Sequence, residues 1–279
     1  MNMEVKRFEK EFHDKQGCHY ETRWVEGPRF QCHYERIARH VKTYFKGKKS
    51  TILVDIGCGT GRGSLFLAET SVNIIGLDIS LSILKIFKEK SSLKGLKNVD
   101  LILCDAENPP LRTEIADIVT FFGALHHLPN KIKALHEASR LLRLGGKISC
   151  HEPNREASKI PYQLLPLIAS PIIRLRNFLK VNKVSKIINS DLSPYEVTLS
   201  VEEVKSMLLS LNFKILEAKT VWFFGILPLP PTLSRKISKV YYTVANRVDE
   251  MFERIGLYRN IAGAVSIIAR KSGVNVDHG

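Results

Sequence analysis

The sequence is short of acids, of tryptophan and of uninterrupted apolar runs, and its cysteines fit no framework. Asp and Glu number 28 against 42 Lys and Arg, for a formal charge of +14 and a pI near 9.6. That imbalance favours an anionic partner, whether RNA, lipid headgroups or an acidic metabolite, unless it serves only to keep a basic protein dispersed. Five cysteines (Cys18, Cys32, Cys58, Cys104, Cys150) are an odd number without regular spacing. They argue against a disulfide scaffold and for a reducing, cytoplasmic setting. No run reaches the ~18 apolar residues of a membrane span. The opening MNMEVKRFEKEFHDK lacks the apolar core of a secretory leader, so none is expected. Zinc-finger, RRM and KH signatures are missing as well, which leaves nucleic acid supported by charge alone.

What is present is centred on Thr51 to Ser64, TILVDIGCGTGRGS. An apolar β-branched run passes Asp55 and breaks into Gly57, Gly59, Gly61 and Gly63. This reads as a buried strand turning sharply into a helix over Arg62 to Thr70. Glycines suit a turn that needs positive φ and lets a ligand lie against bare backbone. The dinucleotide frame Gly-x-Gly-x-x-Gly fails from Gly57, where its sixth position is Arg62, and is degraded from Gly59, where it is Ser64. The frame that fits is Asp-x-Gly-x-Gly-x-Gly from Asp55.

Further on, strand, acidic turn and helix recur. Asn73 to Leu77 ends at Asp78-Ile79-Ser80, an acid placed to grip a ribose, with Ser80 able to cap the next helix. Asp100 to Cys104 ends at Asp105-Ala106-Glu107, and Ala116 to Phe122 runs into GALHHLPN. Lys131 to Leu144 has helical apolar spacing and a break at Gly145-Gly146. Lys147 to Cys150 is a fifth strand, ending in His151-Glu152-Pro153-Asn154. This recurrence argues a parallel, doubly wound α/β sheet.

The glycine loop, the two acids and HHLPN, in this order, resemble the class I S-adenosylmethionine-dependent methyltransferases, small-molecule branch, of the ubiquinone/menaquinone type. The resemblance covers residues from about Glu11 to Pro153. It implies a mostly parallel seven-stranded Rossmann-like sheet with helical lid insertions, and S-adenosylmethionine as cofactor. It implies that Asp55, Gly57, Cys58, Gly59 and Gly61 cradle the cofactor, with Phe122 close by. Asp78 and Ile79 would hold the ribose, Asp105 and Ala106 the adenine, and Tyr20 would fold over the whole from an N-terminal lid. On this pattern residues 1–50 form the helical lid segment, 51–153 the cofactor-binding core, 154–199 a substrate-side insertion and 200–279 the rest of the sheet. The last strand, Ala262 to Arg270, would insert antiparallel beside the sixth, Phe213 to Thr220.

From Asn154 to Asn189 the insertion mixes an apolar stretch, IPYQLLPLIASPIIRL, with seven basic residues and one acid, Glu156. It reads either as a membrane-contacting patch, at about 1 kcal/mol per basic residue, or as a solvated lid over the acceptor. A capping box opens a helix at Ser200. A long helix over Thr232 to Ile255 carries an apolar stripe (Leu233, Ile237, Val240, Tyr241, Val244, Val248, Met251, Phe252, Ile255) that should bury against the lid, a partner or lipid, with core packing the commonest answer. Cys18-His19 and Cys32-His33 look like metal pairs, but adjacent ligands point to different sides of an element. No metal is expected.

Methyl transfer from a sulfonium is an in-line displacement, in which alignment and desolvation can supply ~7–11 kcal/mol. A base is needed only for an acceptor that holds its proton at neutral pH. His126 and His127 beyond the fourth strand, and His151 at the mouth of the fifth, are the candidates; each could equally shape its loop. The Asn/Asp-Pro-Pro-aromatic motif of amino-group methyltransferases is replaced by Phe122-Gly123-Ala124-Leu125. A small, apolar or lipid-like acceptor, methylated on oxygen or carbon, is favoured. RNA or protein methylation and a non-catalytic binding module are the alternatives.

Overall fold

Neighbouring apolar residues of one strand pack on opposite sides of the sheet, as the two-residue period of a strand requires. Leu53, Phe122 and Ile268 enter one apolar layer, while Val54, Phe121 and Ile267 enter the other. The computed structural model describes residues 2–24, 27–45, 50–68, 72–159, 193–222, 234–254 and 262–273, for 2, 16–24 and 158–159 the backbone only. Its strands are β1 (Thr51–Ile56), β2 (Val72–Asp78), β3 (Val99–Leu103), β4 (Ala116–Phe122), β5 (Leu142–Pro153), β6 (Phe213–Val221) and β7 (Ala264–Lys271). They form one seven-stranded sheet in the order β3-β2-β1-β4-β5-β7-β6. β7 runs antiparallel to both neighbours and the other adjacent pairs are parallel. Strand order reverses between β1 and β4. In open α/β sheets that switch point opens a crevice at the carboxyl ends of the strands.

Helices close both faces. α2 (Pro28–Lys42) and α3 (Leu81–Leu93) place Ile37, Val41, Leu84 and Phe87 in one layer. α4 (Lys131–Leu141) and α5 (Val201–Ser210) place Leu135, Leu141, Val204 and Leu208 in the other. Local signals hold at their starts. Ser80 accepts from the Ile83 N–H, Asn130 from that of Lys133, and Ser200 with Glu203 makes a complete capping box. α1 (Asn2–Trp24) is polar along its length and lies across the carboxyl ends of β2 and β3. Lys6 Nζ reaches Asp105 at 2.7 Å, and Asp14 accepts from Ser80 Oγ at 2.6 Å.

Several expectations are corrected. The helix expected over Arg62 to Thr70 is a single 3-10 turn, Ser64–Phe66, within the described residues. Gly61 and Gly63 weaken helix there. A Cβ on Gly61 would fall 2.5 Å from the Phe87 ring, so the loop is packed as a turn. α4 ends at Leu141 rather than Leu144, and Gly145-Gly146 lie inside β5. The register slips there between Ala116 and Ile118, with Gly145 at φ 76°, so the glycines serve a bulge and not a helix end.

The largest departure is α6 (Arg235–Arg254). Its buried residues are Ser238, Tyr242, Ala245, Asn246 and Asp249, whereas Ile237, Val240, Val244 and Met251 are exposed. The helix docks on α2, and its orientation follows polar pairing there, including Arg36 to Glu253 at 2.8 Å. Most of the insertion (160–192), the turn at 223–233 and the Tyr20 side chain lie outside the described residues. Among the described residues no helix is long and apolar enough to cross a membrane.

Candidate active site

The crevice at the switch point is an open cleft. Its floor comes from the first three strand ends: Gly57 and Gly59 after β1, Asp78 and Ile79 at β2, Asp105 and Ala106 after β3. Gly57 has φ 66°, and a Cβ there would come 2.4 Å from that of Ala124, so only glycine lets the two loops meet. The cradle is built by backbone approach. Asp78 then fixes it: one carboxylate oxygen accepts from the Gly59 N–H and the other from the Ser80 N–H, both at 2.9 Å. Burial pushes the Asp78 carboxyl above its ordinary value, against these two backbone donors. Each oxygen keeps a second lone pair for a hydroxyl.

Asp105 is arranged alike, with one oxygen on the Glu107 N–H at 2.9 Å and the other on Lys6. Lys6 also meets Glu107 at 2.6 Å, and both ion pairs draw its ammonium above the ordinary lysine value, against the opposing effect of burial. That lysine was missed from sequence, because nothing in a polar N-terminal segment announces where it will dock.

Four residues expected to touch a cofactor stand behind the cleft. Asp55 is fully buried, accepts from Thr120 Oγ1 at 2.8 Å and is pushed up to about 7 by burial. It ties β1 to β4. Cys58 packs against Gly76 and Leu101, and Gly61 against Phe87. Phe122 covers Gly63 from within the core.

The three candidate histidines part company. His126 donates or accepts through Nδ1 at 2.7 Å from Glu152. Glu152, itself buried, also accepts the N–H groups of Ala124, Leu125 and His126 at 3.2, 3.0 and 3.2 Å. It clamps the 3-10 turn Leu125–His127. Burial, with Arg62 and Lys131, holds His126 down to about 3. His151 lies Nε2 to Nε2 with His33 of α2 at 2.7 Å, and burial with Arg36 and Arg62 takes it to about 3. Neither lines the cleft.

His127 does line it, with Glu9 and His13 of α1. Its Nδ1 is 3.3 Å from Glu9 Oε2, which is 3.4 Å from His13 Nε2. Burial and the neighbouring His126 lower His127 to about 4, so it is neutral at neutral pH. Burial would raise the Glu9 carboxyl, but the facing imidazoles and the Ser193 hydroxyl outweigh it and keep the group ionised. Glu9 and His13 carried a signal in the sequence: four residues apart on a helix, they share a face.

Residues 54–150, about a third of the chain, match the family model described as a methyltransferase domain. Demethylmenaquinone methyltransferase of Staphylococcus epidermidis is 30% identical over 132 residues, covering 46% of this chain and 54% of that one. The enzyme of the same name from Staphylococcus carnosus is 34% identical over 131 residues, covering 45% and 54%. The matched stretch thus spans about half the length of these curated relatives. The YcgJ protein of Bacillus subtilis shares the fold with a TM-score of 0.53 at 19% identity, over 86% of this chain and 99% of that one.

Proposed function

We propose that the chain, whose residues 54–150 form a methyltransferase domain, is an S-adenosylmethionine-dependent methyltransferase acting on a small, apolar, hydroxylated acceptor. The observation that carries the reading is the joint placement of Gly57, Gly59, Asp78 and Asp105 around one cleft at the switch point. The cleft fits the cofactor's parts. Asp78 offers a carboxylate with free lone pairs to a vicinal diol, and Asp105 an acceptor to an exocyclic amine. Leu77, Ile79, Ile83 and Leu128 give apolar walls for a flat base. When bound, the cofactor supplies a methyl group on a sulfonium.

The chain's own residues align and dry the site. The turn Leu125–His127, fixed by Glu152, and α1, fixed through Lys6 and Asp14, enclose it from two sides. Alignment and exclusion of water are what this displacement needs most. A hydroxylated acceptor must also give up a proton, and the Glu9–His13–His127 wall is the polar cluster in reach. Lys6 must share or release Asp105 for the adenine amine to bind.

Quinone-type acceptors are favoured by the demethylmenaquinone methyltransferase relatives and by the apolar lining. The test is to incubate the purified protein with S-adenosylmethionine and a reduced, short-chain demethylnaphthoquinol. Stoichiometric S-adenosylhomocysteine and a methylated quinol are expected. Cofactor binding without turnover on any quinol, phenol or enol offered would contradict the acceptor class.

A further inference from the structure

We infer that Glu9, His13 and His127 form a binding site for a zinc-class divalent cation on the wall of the cleft. Each of the three residues offers one ligand atom, and these atoms all lie within 4.8 Å of one another. The two measured edges, 3.4 and 3.3 Å, are telling. Zinc bonded tetrahedrally at about 2.0–2.1 Å sets neighbouring ligand atoms about 3.3–3.4 Å apart. Yet Glu9 Oε2 and His127 Nδ1, both buried, have no hydrogen-bond partner. A carboxylate oxygen and an imidazole nitrogen that converge in a buried place without hydrogen-bond geometry between them leave room for a cation.

The mounts are rigid. Glu9 and His13 stand one turn apart on α1, so they face the same way. His127 ends the turn that Glu152 clamps through three backbone N–H groups. Ser193 Oγ donates to Glu9 Oε1, which occupies that oxygen and leaves Oε2 to ligate. Outer hydrogen bonds of this kind orient metal ligands. Glu196 Oε1, held by the Ser193 N–H at 3.0 Å, flanks the cluster 3.6 Å from His127 Nδ1. Two imidazoles with one carboxylate suit zinc, or iron and cobalt in its place, better than magnesium or calcium. Three protein ligands leave a fourth position, as in catalytic zinc sites. All three residues line the cleft, so water or an acceptor oxygen could reach that position. Cys32 and His33 stand apart from the cluster, buried on α2.

The proposal goes beyond the transferase reading and is tested without it. Untagged protein, stripped with a chelator, is titrated calorimetrically with zinc sulfate, and its metal content is measured after dialysis. One zinc per chain is expected, lost in Glu9→Gln and in His13→Ala but kept in His136→Ala, an exposed histidine on α4. Ser193→Ala should weaken binding roughly 10- to 100-fold without abolishing it. Cobalt should give the visible absorption of a four-coordinate site in wild type and lose it in His13→Ala. The proposal is overturned if folded wild-type protein takes up no zinc, or if its zinc survives in both Glu9→Gln and His13→Ala. Calorimetry of the same stripped protein with S-adenosylmethionine separates the two readings, since Asp78 and the glycine loop bind no metal in either.

Discussion

His33 and His151 show how a buried pair can be built from groups that prefer water. Their Nε2 atoms meet at 2.7 Å, and the His33 ring stacks on Trp222 at 4.0 Å. One ring can donate only if the other is neutral, and burial with the nearby arginines keeps both below the ordinary value of 6.5. The unfolded chain therefore takes up protons first as pH falls. The pair's contribution to stability is full above about 6.5 and is lost as pH drops toward about 3, at up to about 1.4 kcal/mol per pH unit for each ring. Urea unfolding across that range should show a shallower acid limb in the double variant His33→Phe/His151→Leu; parallel limbs would mean that the rings are charged when folded. Glu152 is the second such residue. Glu152→Ala strands three backbone N–H groups and the His126 ring nitrogen, so it should cost about 3–5 kcal/mol in denaturant midpoint analysis. A loss under about 1 kcal/mol would show that the turn Leu125–His127 does not depend on it.

At the scale of elements, legibility followed local chemistry. Strand ends, the glycine turn and the caps at Ser80 and Ser200 were legible, because each is decided within a few residues. The docking of α1 was not: Lys6 and Glu9 find partners far along the chain, and a polar helix has no stripe to point with. The stripe on α6 is left facing outward, because the helix docks on α2 through pairs such as Arg36 to Glu253. Val244→Ser should then change stability by no more than about 0.5 kcal/mol. Tyr242→Ala, on the buried face, should cost about 3–5 kcal/mol in thermal or urea unfolding. Equal costs would return the stripe to the core. α1 also carries a binding prediction. Lys6 competes for the Asp105 oxygen with an ion pair worth about 0.2–1 kcal/mol. Lys6→Met should thus tighten S-adenosylmethionine binding by up to roughly fivefold. Weaker binding would instead make Lys6 a contact of the cofactor.

Across the whole molecule, the parallel strands deliver their carboxyl ends to one crevice, and two helical layers with a crossing first helix close it. Asp78 is where these levels meet, since it ends β2, fastens the glycine loop through Gly59 and faces the cleft. The most direct test is calorimetric titration of the protein with S-adenosylmethionine, beside Asp78→Ala checked for folding by circular dichroism. Binding near micromolar order is expected, weakened roughly 10- to 150-fold in the variant, the loss of one charge-assisted contact at about 1.5–3 kcal/mol. Wild-type protein that is folded and binds no S-adenosylmethionine, or a folded Asp78→Ala that binds it equally well, would contradict the site.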